Sequence, residues 1–208
     1  MSVQVKICGL TRPEDIRAVN DAGADYAGFV FFEKSRRNIT CGTAKNLLSL
    51  LDPKIQSVAV YVSPTPALVR EISGLGFDLV QIHGEIRPEV LDLIQTPVWQ
   101  AVNLKNGMDP DLIMEHPKIC GYVVDGADYG GGKTFGWEDD SGEALASAIR
   151  EALHGKTFIL AGGLNAGNVR KGIELFHPDV TDVSSGVETD GTKDSTLIHR
   201  FIREVRKL

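Results

Sequence analysis

The sequence predicts an α/β fold, a closed (β/α)8 TIM barrel built as a single domain over residues 1–208. Three observations carry this reading. Short β-branched runs alternate with helix-like segments along the whole chain, which implies parallel strands joined by right-handed crossovers. Eight such units fit with no segment left over, which favours closure over an open sheet. The first turn, Cys8-Gly9-Leu10-Thr11-Arg12-Pro13, lacks the glycine spacing of an open dinucleotide-binding sheet.

The units read in order as follows. Val3 to Ile7 is a strand, followed by a helix from about Pro13 to Ala22, with Thr11 as N-cap and Glu14 completing a capping box. Tyr26 to Phe31 precedes a helix around Thr43 to Leu51. Ser57 to Val62 precedes Ala67 to Leu75, and Leu79 to Ile82 precedes Pro88 to Ile94. Val98 to Leu104 precedes a short helix from Pro110 to Glu115. Ile119 to Val124 precedes Ser141 to Leu153, Thr157 to Leu160 precedes Asn165 to Phe176, and Val180 to Val183 precedes Thr196 to Val205. The stretch Gly126 to Gly136 is glycine-rich and reads as a lid or a plain surface loop.

Composition narrows the function. With 22 basic against 28 acidic residues the net charge is −6, which argues against a nucleic-acid partner. An anionic ligand must then be drawn by local loop amides and a few basic side chains. No stretch is long and apolar enough for a membrane span, and the N-terminus has no signal-peptide pattern. The three cysteines, Cys8, Cys41 and Cys120, form no CxxC pair and suit a reduced, cytoplasmic setting.

In such a barrel, polar residues at the strand ends are the functional candidates. Cys8 ends the first strand and shares the inward face with Lys6, while Val3, Val5 and Ile7 face the helices. Its thiol reads either as a base activated by nearby positive charge or as a small buried apolar group. Asp125 follows the apolar run of the sixth strand; it is a partly desolvated general acid or an Asx-turn residue, with Asp128 as a solvated rival. Ala161-Gly162-Gly163-Leu164 and Ser184-Ser185-Gly186-Val187 follow strands seven and eight, the usual phosphate site of such barrels. Gly162, Gly163, Ser185 and Gly186 are therefore the phosphate-binding candidates. Arg37 offers a guanidinium for a carboxylate, or is solvated loop charge together with Arg36. His83 ends strand four and reads as a substrate-lining or structural histidine. Cys41, Cys120, Trp99 and Trp137 read as structural. Strand eight pairs with strand one in a closed barrel, so Lys6 and Asp182 are expected to meet as a buried pair, with Lys6 helping to hold Cys8 as thiolate.

These residues resemble the phosphoribosylanthranilate isomerase family over nearly the whole chain. The resemblance rests on Lys6 to Leu10 (KICGL), Ser35 to Arg37, Val80 to Gly84 (VQIHG), Val123 to Asp125, Gly131 to Trp137 (GGKTFGW), LAGGLNAGNV and DVSSGVETDGTKD. It implies a cofactor-free, metal-free Amadori rearrangement of a phosphorylated aminosugar. By similarity, Asp125 is the acid and Cys8 the base, Arg37 lies near the anthranilate carboxylate, and Asp182 lies near the reacting centre. The family includes monomers and dimers, and a monomer is the expectation here. Gly131, Gly136, Arg36 and Asn38 depart from the family pattern, which bears on the lid and the anthranilate side. The alternatives are another sugar-phosphate isomerase or epimerase of the phosphate-binding barrels, or a non-catalytic phosphate-ligand binder. The binder would need neither Cys8 nor Asp125.

Overall fold

Parallel pairing runs unbroken around the molecule. In the computed structural model, which describes residues 2–103, 113–125 and 141–207, eight strands close in sequence order, each bonded to the next and the eighth to the first. They are β1 (Gln4–Cys8), β2 (Tyr26–Phe31), β3 (Gln56–Val62), β4 (Leu79–His83), β5 (Val98–Asn103), β6 (Ile119–Asp125), β7 (Thr157–Leu160) and β8 (Val180–Val183). The barrel predicted from the alternating runs is the barrel that forms.

Outside it lie α1 (Pro13–Ala22), α2 (Cys41–Leu48), α3 (Pro66–Ser73), α4 (Pro88–Leu93), α5 (Ser141–Ala152), α6 (Val169–Phe176) and α7 (Ser195–Val205). The first half of the short helix expected from Pro110 to Glu115 falls outside the described residues, and Ile113 to His116 are not helical. The Gly126 to Gly136 stretch, with Asp128, Gly131, Gly136 and Trp137, also lies outside the described residues.

Two corrections concern helix starts. Pro13 is the first residue of α1, so the N-cap is Arg12 rather than Thr11, and the carboxylate three residues on is Asp15 rather than Glu14. Asp15 Oδ2 accepts the amides of Thr11 at 2.9 Å and Arg12 at 3.0 Å. α6 starts at Val169, four residues later than expected. Asn165 and Asn168 divert the chain into side-chain-bonded turns: Asn168 Oδ1 accepts the Asn165 amide, and Asn165 Oδ1 accepts the Gly167 amide, both at 2.8 Å.

The pleat sorts side chains into two cores. Val5, Ile7, Phe29, Ile82 and Leu160 pack outward under the helices. Tyr26, Val58, Leu79, Trp99, Val123, Ile159 and Val180 fill the barrel, with Cys8 in the same inner cluster. The Tyr26 and Trp99 rings meet at a centroid distance of 4.9 Å, so Trp99 is a packing residue, as read from the sequence. The N-terminal face is tied by aspartates placed just before strands. Asp25, Asp78 and Asp179 accept the amides of Val5, Ser57 and Phe158, each at 2.8 Å. This polar latch fixes the strand starts and leaves the opposite face for chemistry.

Between β8 and α7 the chain makes a single 3-10 turn (Ser185–Val187) and a hairpin, β9 (Glu188–Thr189) and β10 (Thr192–Lys193). The sequence reading did not anticipate this hairpin. Its turn is Asp190-Gly191, with φ of 49° and 77°, the two left-handed residues that close a two-residue hairpin.

Candidate active site

The C-terminal ends of the strands open onto a cavity of about 480 Å³. Cys8 from β1, His83 from β4, Asp125 from β6 and Asp182 from β8 line it, together with Arg37 from the loop after β2. Gly162, Gly163 and Ser185 line it from the loops after β7 and β8. Eight of the nine residues singled out in the sequence therefore share one cavity. The exception is Gly186. It is not among the residues that line the cavity, and a Cβ there would overlap the Leu164 carbonyl oxygen, so this position needs glycine for loop eight to pack on loop seven.

Beneath the cavity floor Lys6, fully buried, donates to Asp182 Oδ2 at 2.7 Å. Register explains the contact, since Lys6 and Asp182 are opposite residues in the β1–β8 ladder and both point inward. Burial pulls the Lys6 ammonium toward neutrality, but Asp182 and Cys8 more than offset this and hold its pKa above the ordinary lysine value. Asp182 Oδ1 is buried and accepts no hydrogen bond among the described residues. An oxygen left this way on a cavity wall is a ready acceptor for a ligand hydroxyl.

Cys8 departs from one expectation. Burial pushes its thiol above the ordinary value; Lys6 and Lys193 pull it down, and Asp182 pushes it up again. Lys6 thus acts in the anticipated direction but is outweighed, because its own charge is largely matched by Asp182. Without a ligand, Cys8 rests as a thiol.

His83 is buried, and burial, then the Lys6 charge, lower its pKa to about 4. It is neutral near pH 7. Its Nε2 stands 2.8 Å from Gln81 Nε2, so in the neutral ring the amide donates and Nε2 accepts. Its ring lines the cavity.

The candidate anion cradle is formed by backbone. Gly162 and Gly163 both have positive φ, 87° and 65°, which lets this turn hug the cavity wall. The Gly163 carbonyl is held from behind by Asn168 Nδ2 at 3.0 Å. Loop eight is braced by Lys193, whose Nζ donates to the Ser184 carbonyl at 2.9 Å; Ser184 Oγ donates in turn to the Cys8 carbonyl at 2.9 Å. The end of β1 and the loop after β8 are therefore mechanically joined.

Glu188 and Lys193 were not singled out in the sequence. Glu188, a nearly buried carboxylate on β9, accepts from Arg36, Arg37 and Lys193. The signal that would have found them is the Asp190-Gly191 turn, which folds Lys193 back opposite Glu188.

A closed (β/α)8 barrel with a thiol, two carboxyls and a glycine-lined anion cradle at its mouth is the frame of an acid–base enzyme for a small anionic substrate. Comparison with known proteins sharpens this. A sequence model of N-(5'-phosphoribosyl)anthranilate (PRA) isomerase matches residues 5–204. The N-(5'-phosphoribosyl)anthranilate isomerase of Clostridium acetobutylicum is 40% identical, covering 99% of this chain and 98% of its own length. That of Streptococcus gordonii is 41% identical, over 98% of this chain and 97% of its own. The crystal structure of the Thermotoga maritima enzyme superposes with a TM-score of 0.86 at 33% identity, covering 99% of this chain and 100% of that one. A phosphoribosyl anthranilate isomerase in complex with reduced 1-(o-carboxyphenylamino)-1-deoxyribulose 5-phosphate superposes with a TM-score of 0.78 at 30% identity, covering 99% and 100%. This chain belongs to the N-(5'-phosphoribosyl)anthranilate isomerase family.

Proposed function

We propose that this chain carries out the Amadori rearrangement of N-(5-phosphoribosyl)anthranilate to 1-(2-carboxyphenylamino)-1-deoxyribulose 5-phosphate, with Asp125 as general acid and Cys8 as general base. The observation that carries this assignment is that both groups, buried and drawn from β6 and β1, line one cavity with the glycine cradle. The Asp125 carboxyl protonates the furanose ring oxygen. The C1–O bond breaks while the amine nitrogen lone pair forms a C1=N iminium. The Cys8 thiolate removes the C2 proton, and the electron pair closes C1=C2 as the iminium pair returns to nitrogen. The resulting enolamine tautomerises to the ketone, taking a proton at C1.

The working form therefore holds one proton between two groups, with the carboxyl protonated and the thiol ionised. The iminium formed in the first step adds positive charge beside the thiol and favours its ionised form. Gly162, Gly163, Ser185 and Gly186 hold the phosphate through their loops. Arg37 receives the anthranilate carboxylate, and Asp182 Oδ1 accepts a sugar hydroxyl. His83, neutral and fixed by Gln81, lines the sugar side.

A cytoplasmic setting is supported by the three free cysteines. Among the described residues no helix is long and apolar enough to cross a membrane. A monomer is supported by the surface, where Leu50 is the exposed large hydrophobic residue among those described. The test of the roles is loss of anthranilate-type fluorescence on turnover. Cys8→Ala and Asp125→Asn should each lose about 10²-fold or more in kcat. Full activity in either variant would overturn that residue's assignment.

A further inference from the structure

Arg37 is not a loose loop arginine. Its Nε donates to Glu188 Oε1 at 2.7 Å and its Nη2 to Glu188 Oε2 at 2.9 Å, a two-pronged contact that fixes the plane of the guanidinium. Glu188 is itself fixed. Its side chain is 4% exposed, and Lys193 Nζ, 2% exposed, donates to its Oε1 at 2.6 Å. The β9–β10 pairing sets Glu188 directly across from Lys193, and Arg12 Nη2 ties the Lys193 carbonyl to the start of α1 at 3.1 Å. On the other side Arg37 lies over Gly9, where a Cβ would overlap its Cδ. The side chain is thus channelled along β1's exit, beside Cys8.

We propose that Glu188 is a positioning residue that aims Arg37 at the substrate's aromatic carboxylate and so sets the preference for a carboxylated amine over an uncharged one. The inference rests on the assignment of Arg37 to that carboxylate. The charge balance favours a support over a competitor. One carboxylate faces three cations, Arg36, Arg37 and Lys193, so the cluster keeps an excess of positive charge for a second carboxylate. The contact uses Nε and one edge of Arg37, leaving its other N–H donors for the cavity that it lines.

The test compares two substrates, N-(5-phosphoribosyl)anthranilate and N-(5-phosphoribosyl)aniline, which lacks the carboxylate, following product by chromatography. Glu188→Gln and Arg37→Ala should each raise KM for the carboxylated substrate about tenfold, the scale of one charge-assisted hydrogen bond, with kcat little changed. KM for the aniline compound should stay near its wild-type value in both. Glu188→Asp keeps the charge on Lys193 but is too short to span both Arg37 nitrogens, so it should show the same selective loss if Glu188→Gln does not fold. A fall in KM for the anthranilate substrate in Glu188→Gln would make Glu188 a competitor and overturn the proposal. An equal loss on both substrates would reduce Glu188 to a structural residue and also overturn it. Preserved discrimination in Glu188→Gln alone would defeat the positioning role only. Preserved discrimination in Arg37→Ala would defeat the Arg37 assignment and the proposal with it.

Discussion

Lys6 Nζ and Asp182 Oδ2 stand 2.7 Å apart where β8 closes on β1, with the lysine wholly cut off from solvent. A buried pair of this kind gains little over well-packed apolar residues, yet it is costly to break on one side. Lys6→Met or Asp182→Leu alone should therefore destabilise the protein by about 3–5 kcal/mol in urea unfolding. The double variant Lys6→Met/Asp182→Leu should recover most of that loss. Additive losses in the double variant would show that the two charges do not compensate each other.

Cys8 lies between opposing influences, and burial prevails over Lys6 and Lys193. Peptide-resolved alkylation by iodoacetamide across pH should give a Cys8 ionisation above the ordinary thiol value. With Cys8 as the base, kcat/KM should rise with pH toward that raised ionisation. A Cys8 ionisation near pH 7 would contradict this and restore the view of Lys6 as an effective activator.

His83 makes a prediction about acid stability. Its folded pKa is depressed to about 4, mainly by burial, against the ordinary value of 6.5. Between these values the unfolded chain binds the extra proton, so stability should rise with pH across that window and fall as pH drops through it. The contribution is at most roughly 3 kcal/mol, since each tenfold change in proton affinity is worth about 1.4 kcal/mol. Unfolding free energies of wild type and His83→Gln between pH 4 and 7 should converge in acid. Parallel curves would mean that His83 is not buried neutral.

The anion cradle predicts competition by inorganic phosphate. Gly163, at a φ of 65°, has no room in conformational space for a side chain without strain of about 1–2 kcal/mol. Gly163→Ala should raise both the inhibition constant for phosphate and the KM for substrate about tenfold. Weakened substrate binding with unchanged phosphate inhibition would place the phosphate elsewhere.

The parts of this site that were legible in the sequence share a local cause. Cys8, Asp125 and Asp182 sit on or at the end of short apolar runs, where alternation alone decides which face a side chain takes. Lys6 and Asp182 could be paired because barrel closure dictates which strands meet. The start of α6 is not legible from periodicity because Asn165 and Asn168 bond the backbone with their side chains in place of a helical turn. Glu188 and Lys193 were passed over because their meaning depends on a small hairpin and on a loop more than a hundred residues earlier in the chain, which no periodicity reveals. Arg36 and Arg37 looked alike in sequence; their shared carboxylate separates them, leaving Arg36 58% exposed and Arg37 12%.

The decisive measurement is a crystal structure of this protein with a reduced, unreactive form of the aminodeoxyribulose phosphate product bound. The phosphate should lie on the loops of Gly163 and Ser185. Cys8 Sγ and the Asp125 carboxyl should stand within ~3–4 Å of the substrate atoms between which they would pass protons. A ligand whose phosphate is held away from those loops, or whose sugar carbons lie beyond reach of either group, would contradict these roles.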